Sequence, residues 1–261
     1  MTIKFLKTVE ILKNEGPRSL AYKAQRKLRK ALRRALSYKA VKSEYGVVMS
    51  PNWGDATFEY CVLGEYGTVL SDLIRSKAEP FLFIDIGANQ GLYSLVAGQN
   101  PSCRGALAYE PVGRTFDLLC ENIRLNRLGD KVEPFNYGIS ISDAHIPIFQ
   151  SREHSGKASL HRRDGNDDIE EIIVIKTARS IEEKLSADLP VLMKIDVEGH
   201  EVAVLQSIAT AAFASRVSEV FYEVDEEWVD PTVLERILRD MNFRTFEKYG
   251  SGSHYDVLAS R

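Results

Sequence analysis

One short segment of the sequence combines a carboxylate with two glycines directly after an apolar run. FLFI (81–84) precedes Asp85, and Gly87 and Gly91 follow within DIGANQG. Glycines let a backbone turn sharply and approach a ligand closely, and a carboxylate accepts hydrogen bonds from a cationic amino group. The segment therefore predicts a ligand-binding turn, whose predicted contact residues are Asp85, Gly87, Ala88, Asn89 and Gly91.

A dinucleotide could use a similar turn, but two features argue against it. Dinucleotide folds prefer GxGxxG, whereas residues 87–92 are GANQGL, with an asparagine in place of the second glycine. Glu110, which ends GALAYE (105–110) about twenty residues later, is placed to accept both hydroxyls of a ribose and would repel a phosphate. The pair of motifs predicts a nucleoside ligand with a free ribose.

A third segment, KIDVEGHE (194–201), holds five ionisable side chains in eight residues. Such a group at a buried strand end is costly unless it is paired or used in chemistry. Asp196 and Glu198 could share a divalent cation, bind an amino group or take a proton from a hydroxyl, with Lys194 as their counter-charge. An ion-pair network that caps the next helix is the alternative. The ordinary pKa of histidine makes His200 a candidate general base, although it could also simply face solvent.

The elements that must position these residues follow from hydrophobic periodicity. Beyond Pro51, short apolar runs alternate with helical patterns, which predicts a Rossmann-like, doubly wound α/β sheet, mostly parallel, with helices on both faces. A C-terminal hairpin around Gly250 adds an antiparallel strand. Glu223, in one of the later runs, is expected at the same crevice. The predicted strands are 81–86, 105–110, 132–138, 144–149, 171–176, 191–196, 218–224, 242–248 and 254–260.

The charge distribution divides the chain into a basic arm and an acidic body. Residues 1–44 hold thirteen Lys or Arg against three Glu, a formal charge of +10, whereas residues 45–261 carry −13. Helical spacing predicts two helices in the arm, separated at Gly16-Pro17. The second has a basic side, which favours either a helix on an anionic membrane surface or one whose apolar stripe packs on the body. The sequence argues against a nucleic-acid partner, because the body is acidic and has no recognisable reading motif.

Cysteine content and hydropathy bear on the compartment. Three widely spaced cysteines, without a CxxC or a histidine cluster, predict neither a disulfide framework nor a zinc site. No run of 18 apolar residues could span a bilayer. We therefore expect a cytoplasmic protein, peripheral at the inner face of the membrane if the arm binds there.

Six motifs together resemble the FkbM-type family of S-adenosylmethionine-dependent methyltransferases, over roughly Phe81 to Val224. They are FIDIGANQGLYSL (83–95), AYEP (108–111), ENIRLN (121–126), GISISD (138–143), GKASL (156–160) and MKIDVEGHEVAVL (193–205). The resemblance implies a seven-stranded Rossmann-like fold and methyl transfer from S-adenosylmethionine to a hydroxyl of a sugar, glycolipid, polysaccharide or polyketide-type product.

The resemblance also implies residue roles. The donor's methionine part would lie along Asp85, Gly87, Asn89 and Gly91, its ribose at Glu110 and its adenine near Gly138. Asp196 and Glu198 would stand beside the transferred methyl, whereas the family varies at the position of His200. Two loops, Val47–Tyr66 and Gln150–Ile169, are expected to form the acceptor pocket, with Trp53, Tyr66, His154, His161 and Arg162 available for contacts.

Two other functions remain open from the sequence. A nicotinamide-dependent dehydrogenase would share the sheet and the ribose carboxylate, although the glycine spacing disfavours it. A membrane- or glycan-binding protein on an inactive methyltransferase scaffold is suggested by the basic arm, although the intact acidic and glycine motifs argue against lost activity. Metal dependence and oligomeric state are not predicted.

Overall fold

The computed structural model describes residues 16–36, 39–151, 154–159, 169–185 and 188–261. A seven-stranded sheet forms its centre, as predicted. Its strands are β3 (Phe81–Ile86), β4 (Cys103–Tyr109), β5 (Val132–Phe135), β10 (Val191–Ile195), β11 (Val217–Asp225), β12 (Thr245–Tyr249) and β13 (His254–Ser260). They lie in the order β12-β13-β11-β10-β3-β4-β5. Five neighbouring strands are parallel, and β13 pairs antiparallel with both β11 and β12.

Two hydrophobic cores cover the two faces of this sheet. All six residues of β3 are buried, and alternate side chains enter opposite cores. Leu82, Ile84 and Ile86 pack in one, and Phe81 and Phe83 pack in the other. A strand buried on both faces is apolar throughout, which explains why FLFI contains no alternation of polar residues.

Helices form both outer layers. The helices of the body are α2 (Ala56–Leu63), α3 (Val69–Ser76), α4 (Leu92–Gln99), α5 (Gly113–Asn126), α6 (Arg179–Glu182), α7 (Glu201–Ala209) and α8 (Pro231–Asp240), with a 3-10 helix at Ala212–Arg216. Side-chain caps fix where two of them begin. Asp55 accepts from the backbone N–H of Phe58 at the start of α2, and Asp230 accepts from that of Thr232 at the start of α8. Pro231 is the first residue of α8, a position where the missing N–H of proline costs no helical hydrogen bond.

A smaller four-stranded sheet, in the order β6-β9-β7-β8, lies after β5. Its strands are β6 (Gly138–Ile139), β7 (Ala144–Ser151), β8 (His154–Ser159) and β9 (Ile169–Lys176). The prediction of one strand over 132–138 is wrong, because that segment is divided between β5 and β6. The side chain of Asn136 donates to the backbone oxygens of Glu110 and Pro111, both at 3.0 Å, and so turns the chain out of the central sheet.

In the described part of the N-terminal region, helix α1 spans Gly16–Leu36 and is followed by the ribbon of β1 (Val41–Lys42) and β2 (Val48–Met49). The first predicted helix lies outside the described residues. Val41 and Val47 are buried in the same core as the helices of the body, so the ribbon spans the predicted boundary at residue 45. None of the described helices has the length and apolarity needed to cross a bilayer.

Candidate functional site

Parallel pairing brings the predicted motifs to one edge of the sheet. Asp85 in β3 stands opposite Lys194 in β10, and the glycine turn follows β3 where Glu110 follows β4. The carboxyl ends of these strands therefore meet in a single crevice, which is where open α/β sheets bind ligands. Because β13 runs antiparallel to β11, His254 at its beginning lies at the same edge, opposite Asp225.

The glycine turn has a backbone that few other residues could adopt. Gly87 has φ 77° and Gly91 has φ 88°, and Asn89 between them has φ 49°. The backbone N–H groups of Gly87 and Ala88 both donate to the oxygen of Tyr109, at 3.0 and 2.9 Å. These bonds tie the turn to the end of β4 and hold it beside Glu110.

Asp85 supports the glycine turn through buried contacts and does not line the cavity. Its Oδ2 accepts from the backbone N–H and the hydroxyl of Ser94, at 3.1 and 2.6 Å, and its Oδ1 lies 3.5 Å from Lys194 Nζ. The side chain is buried. Its contacts thus fix α4 and Lys194, which is an indirect way to shape the site.

Glu110 is the buried carboxyl at one end of the cavity. One oxygen accepts from the backbone N–H of Asn89 and the other from that of Val112, both at 2.9 Å. Burial raises the pKa of Glu110 to about 7, although these two hydrogen bonds oppose the rise. Each carboxylate oxygen has two lone pairs, so both retain one for a ligand hydroxyl.

Lys194 is buried among oxygens and acts as the predicted counter-charge. Its Nζ donates to the backbone oxygen of Gly87 at 2.6 Å and lies 3.2 Å from Asp196 Oδ2. Burial alone would lower the pKa of Lys194, but the charges of Asp196 and Asp85 outweigh it and raise that pKa. The lysine thereby links the glycine turn to the carboxylates that follow β10.

A group of carboxylates occupies the other end of the cavity. Oxygens of Asp196, Glu198 and Glu223 lie within 4.8 Å of one another, a spacing that would suit a cation or a shared proton. Burial, together with the charges of Asp196 and Glu198, raises the pKa of Glu223 well above its ordinary value. Glu223 Oε1 also lies 2.9 Å from His254 Nε2. Sequence reasoning placed Glu223 here but gave no sign of His254, which comes from an antiparallel strand.

Two predicted residues face other parts of the protein. His200 Nε2 lies 2.9 Å from Ser140 Oγ, beyond the end of β6. Gly138 lies in β6, where a Cβ on this residue would lie 3.4 Å from Ile175 Cγ2 and 3.7 Å from Pro111 Cβ. Neither residue is among the described residues that line the cavity. Val112 and Ile148 provide apolar lining at the Glu110 end instead.

The crevice is a cavity of about 880 Å³, within the size range of small-molecule sites. Helix α2 and strand β8 close it, and both lie within the predicted acceptor loops, although Thr57, Tyr60 and Ser155 were not among the residues named there. Ser155 in β8 hydrogen-bonds to Asp55 and to Asn89 Oδ1, which fastens β8 over the glycine turn. Lining residues from these and other elements include Thr57, Tyr60, Tyr66, Tyr93, Pro111, Val112, Ile148, Ser155, Gly156, Asp225, Glu227, Trp228 and His254.

The predicted acceptor loops contribute unequally. Tyr66 lines the cavity and packs edge-on against Tyr60, with ring centroids 5.7 Å apart. Trp53 instead packs against Phe58 in the core, at 5.1 Å. The side chain of His154, and all of His161 and Arg162, lie outside the described residues.

The order of the seven strands, with a glycine turn after β3 and a carboxyl after β4, gives the protein a Rossmann-like α/β fold. Residues 85–245 match the Methyltransferase FkbM domain, and the chain belongs to that family.

Named relatives agree with this class. Hexuronic acid methyltransferase AglP of Haloferax volcanii is 28% identical over 179 residues, which cover 68% of this chain and 69% of that protein. Methyltransferase sdnD of Sordaria araneosa is 25% identical over 200 residues, covering 66% of this chain and 76% of that protein. Among solved structures, ribosomal protein L11 methylase from Lactobacillus delbrueckii subsp. bulgaricus gives a TM-score of 0.46 at 16% identity, over 86% of this chain and 99% of that one.

Proposed function

We propose that the protein transfers a methyl group from S-adenosylmethionine to a hydroxyl of a sugar, glycolipid or polysaccharide. The observation that carries this proposal is one cavity with a buried ribose-type carboxyl, Glu110, at one end and the carboxylate of Asp196 at the other. A polyketide-type hydroxyl is the alternative acceptor.

The chemistry of the lining fits this donor. Glu110 retains acceptor positions for a ribose diol, Val112 and Ile148 offer apolar surface to an adenine, and carboxylates suit the donor's cationic groups. Of the described lining residues, none is an arginine and Lys194 is already ion-paired, so a pyrophosphate would find neither of the side chains that usually bind it. When bound, S-adenosylmethionine supplies a methyl carbon on a sulfonium, which is a good leaving group.

Asp196 is the group we assign to proton removal from the acceptor hydroxyl. Its side chain is 35% exposed and faces the cavity, and Lys194 holds one of its oxygens at 3.2 Å. Burial and the neighbouring carboxylates raise the pKa of Glu223, which hydrogen-bonds to Asp196, so its protonated form is favoured and it is the weaker candidate for the base. Glu198 remains at the cavity wall to orient the acceptor, and His200 has no part in this assignment because it contacts Ser140.

The charge of the acceptor end narrows the substrate class. Besides Glu110 at the other end, Asp196 shares the lining with four further carboxyl side chains, those of Glu198, Glu223, Asp225 and Glu227. A hexuronate, the kind of substrate in the name of the AglP relative, would add a like charge to this group. A neutral or amino-bearing sugar instead offers donors to the carboxylates and a ring face to Trp228. We therefore propose a neutral or amino sugar as the acceptor.

Calorimetric binding followed by methyl-transfer assays tests the function. We expect tight binding of S-adenosylhomocysteine, none of NADH, and turnover on neutral or amino glycans in preference to hexuronates and polyketides. Tight NADH binding would refute the donor assignment. Binding of S-adenosylhomocysteine without transfer to any acceptor would favour an inactive scaffold.

A further inference from the structure

The apolar face of α1 points to solvent. Leu28, Leu32 and Leu36 are 63%, 53% and 79% exposed, and the four-residue spacing places them on one side of the helix. The alanines of the same side are exposed as well, namely Ala21, Ala24, Ala31 and Ala35. An amphipathic helix at the surface of a protein normally buries this face.

The opposite face of α1 fastens the helix to the body. Arg26 Nε lies 2.8 Å from Glu65 Oε1, and Lys30 pairs with Glu59. Arg29 and Arg33 both pair with Glu44, where Arg29 Nη2 lies 3.0 Å from the carboxylate. Because the basic face is engaged in this way, the leucines cannot turn inward without breaking these ion pairs.

The charge of α1 indicates what the leucines contact. The helix contains eight Lys or Arg and no acidic residue, and within the described residues the carboxylates of Glu44, Glu59 and Glu65 pair with it. The eight positive charges of the helix thus exceed these three negative ones, and Lys27 and Arg34 are exposed beside the leucine face. Two copies of the protein would bring two such surfaces together, and like charges would oppose that contact. An anionic surface complements it.

We infer that α1 is an interfacial helix that seats Leu28, Leu32 and Leu36 in the outer part of an anionic bilayer, with Lys27 and Arg34 at the lipid headgroups. Apolar burial and attraction to anionic lipid together drive such binding. The helix would hold the body against the membrane through its ion pairs with Glu44, Glu59 and Glu65. This inference is independent of the donor and acceptor proposed above.

Sedimentation of the full chain with vesicles tests the inference. We expect binding to vesicles of phosphatidylcholine mixed with phosphatidylglycerol, little binding to phosphatidylcholine alone, and loss of binding at high salt. Replacing Leu28, Leu32 and Leu36 with serine should weaken binding by at least about tenfold, because each leucine loses its apolar contact with lipid. Circular dichroism checks that the variant remains folded, as expected for exposed positions.

A matched control separates this helix from general surface hydrophobicity. Ile141→Ser with Ile172→Ser removes two other exposed apolar side chains, which are 59% and 60% exposed, and should leave vesicle binding unchanged. No binding of the full chain to anionic vesicles at low salt would overturn the inference, as would full binding by the leucine variant. A dimer in solution that the leucine variant loses would show that a second copy occupies the face instead.

Discussion

The backbone of Gly87 passes so close to Asp196 that a Cβ on Gly87 would lie 1.8 Å from the Asp196 backbone oxygen. The backbones that follow β3 and β10 are therefore in contact at the point where the glycine turn meets the proposed base, Asp196. Lys194 adds a second link, since it donates to the Gly87 oxygen while it pairs with Asp196. A displacement of the backbone at either strand end is therefore expected to shift both the glycine turn and the proposed base.

Gly87→Ala is expected to destabilise the protein strongly. The new Cβ would meet backbone that cannot rotate away, and alanine is strained at φ 77°. We expect a loss of at least about 2 kcal/mol in the free energy of unfolding by chemical denaturation. Gly46→Ala is the control, because Gly46 has φ 79° with open space around it. Equal losses for the two variants would show that the contact with Asp196 is unimportant.

Lys194→Met is expected to leave Asp85 and Asp196 without their shared counter-charge. Removal of one partner from a buried ion pair typically costs about 3–5 kcal/mol, because the remaining charge is uncompensated. Unfolding measurements should show this loss of stability, and adding Asp85→Asn to the Lys194→Met variant should recover part of the lost stability. Strict additivity of the two changes would mean that the 3.5 Å pair is not energetically coupled.

Donor binding should depend on the protonation of Glu110. The pKa of its buried carboxyl is raised to about 7 in the free protein, and a protonated carboxyl loses acceptor capacity for the ribose hydroxyls. Affinity for S-adenosylhomocysteine should therefore be constant above pH 8 and fall about tenfold per pH unit below 7. Calorimetric titrations across this pH range measure that affinity.

The Glu110→Gln variant provides the control for this pH dependence. It should bind S-adenosylhomocysteine weakly and without a change between pH 6 and 8, since the titrating group is gone. The same pH profile in this variant as in the unchanged protein would assign the dependence to another residue.

Asp196→Asn should reduce turnover while leaving donor affinity unchanged. The amide cannot accept the hydroxyl proton, and loss of a general base typically lowers the rate by about 10²–10⁴. Methyl-transfer assays at saturating donor, with S-adenosylhomocysteine binding measured alongside, separate the two effects. Glu227→Gln removes another cavity carboxyl and should retain most of the turnover. Full activity in Asp196→Asn would eliminate Asp196 as the base.

Local patterns in the sequence predict the central sheet well. FLFIDI, VLMKID and SEVFYEV are buried strands because helices cover both faces, so their composition alone reveals them. β8, HSGKAS, has no such pattern and was expected to be part of a polar loop. Its position depends on pairing with β7 and on the bonds of Ser155 to Asp55, which lies 100 residues away in the chain.

Side-chain direction could not be predicted in the same way. The histidine in KIDVEGHE has the chemistry of a base, but Ser140, 60 residues earlier, draws its ring away from the cavity. The helical spacing of α1 is evident from the sequence, whereas the side of α1 that meets the body depends on Glu44, Glu59 and Glu65. Both outcomes depend on contacts between distant segments.

Asp55 is expected to couple the donor turn to β8. Its carboxylate caps α2 through Phe58, accepts from the Gln90 amide at 3.1 Å and accepts from the Ser155 backbone at 2.8 Å. Asp55→Ala should therefore lose the cap, at about 1–2 kcal/mol, and also release β8 from the cavity. Hydrogen exchange of the β8 amides should accelerate, and the KM for the acceptor should rise.

The cap of α8 offers a matched control for Asp55. Asp230 also caps a helix, through Thr232, but contacts neither β8 nor the glycine turn in the described structure. Asp230→Ala should lose its helix cap without faster exchange in β8 and without a change in KM. If both variants accelerated β8 exchange equally, global destabilisation would explain the effect and the coupling through Asp55 would be refuted.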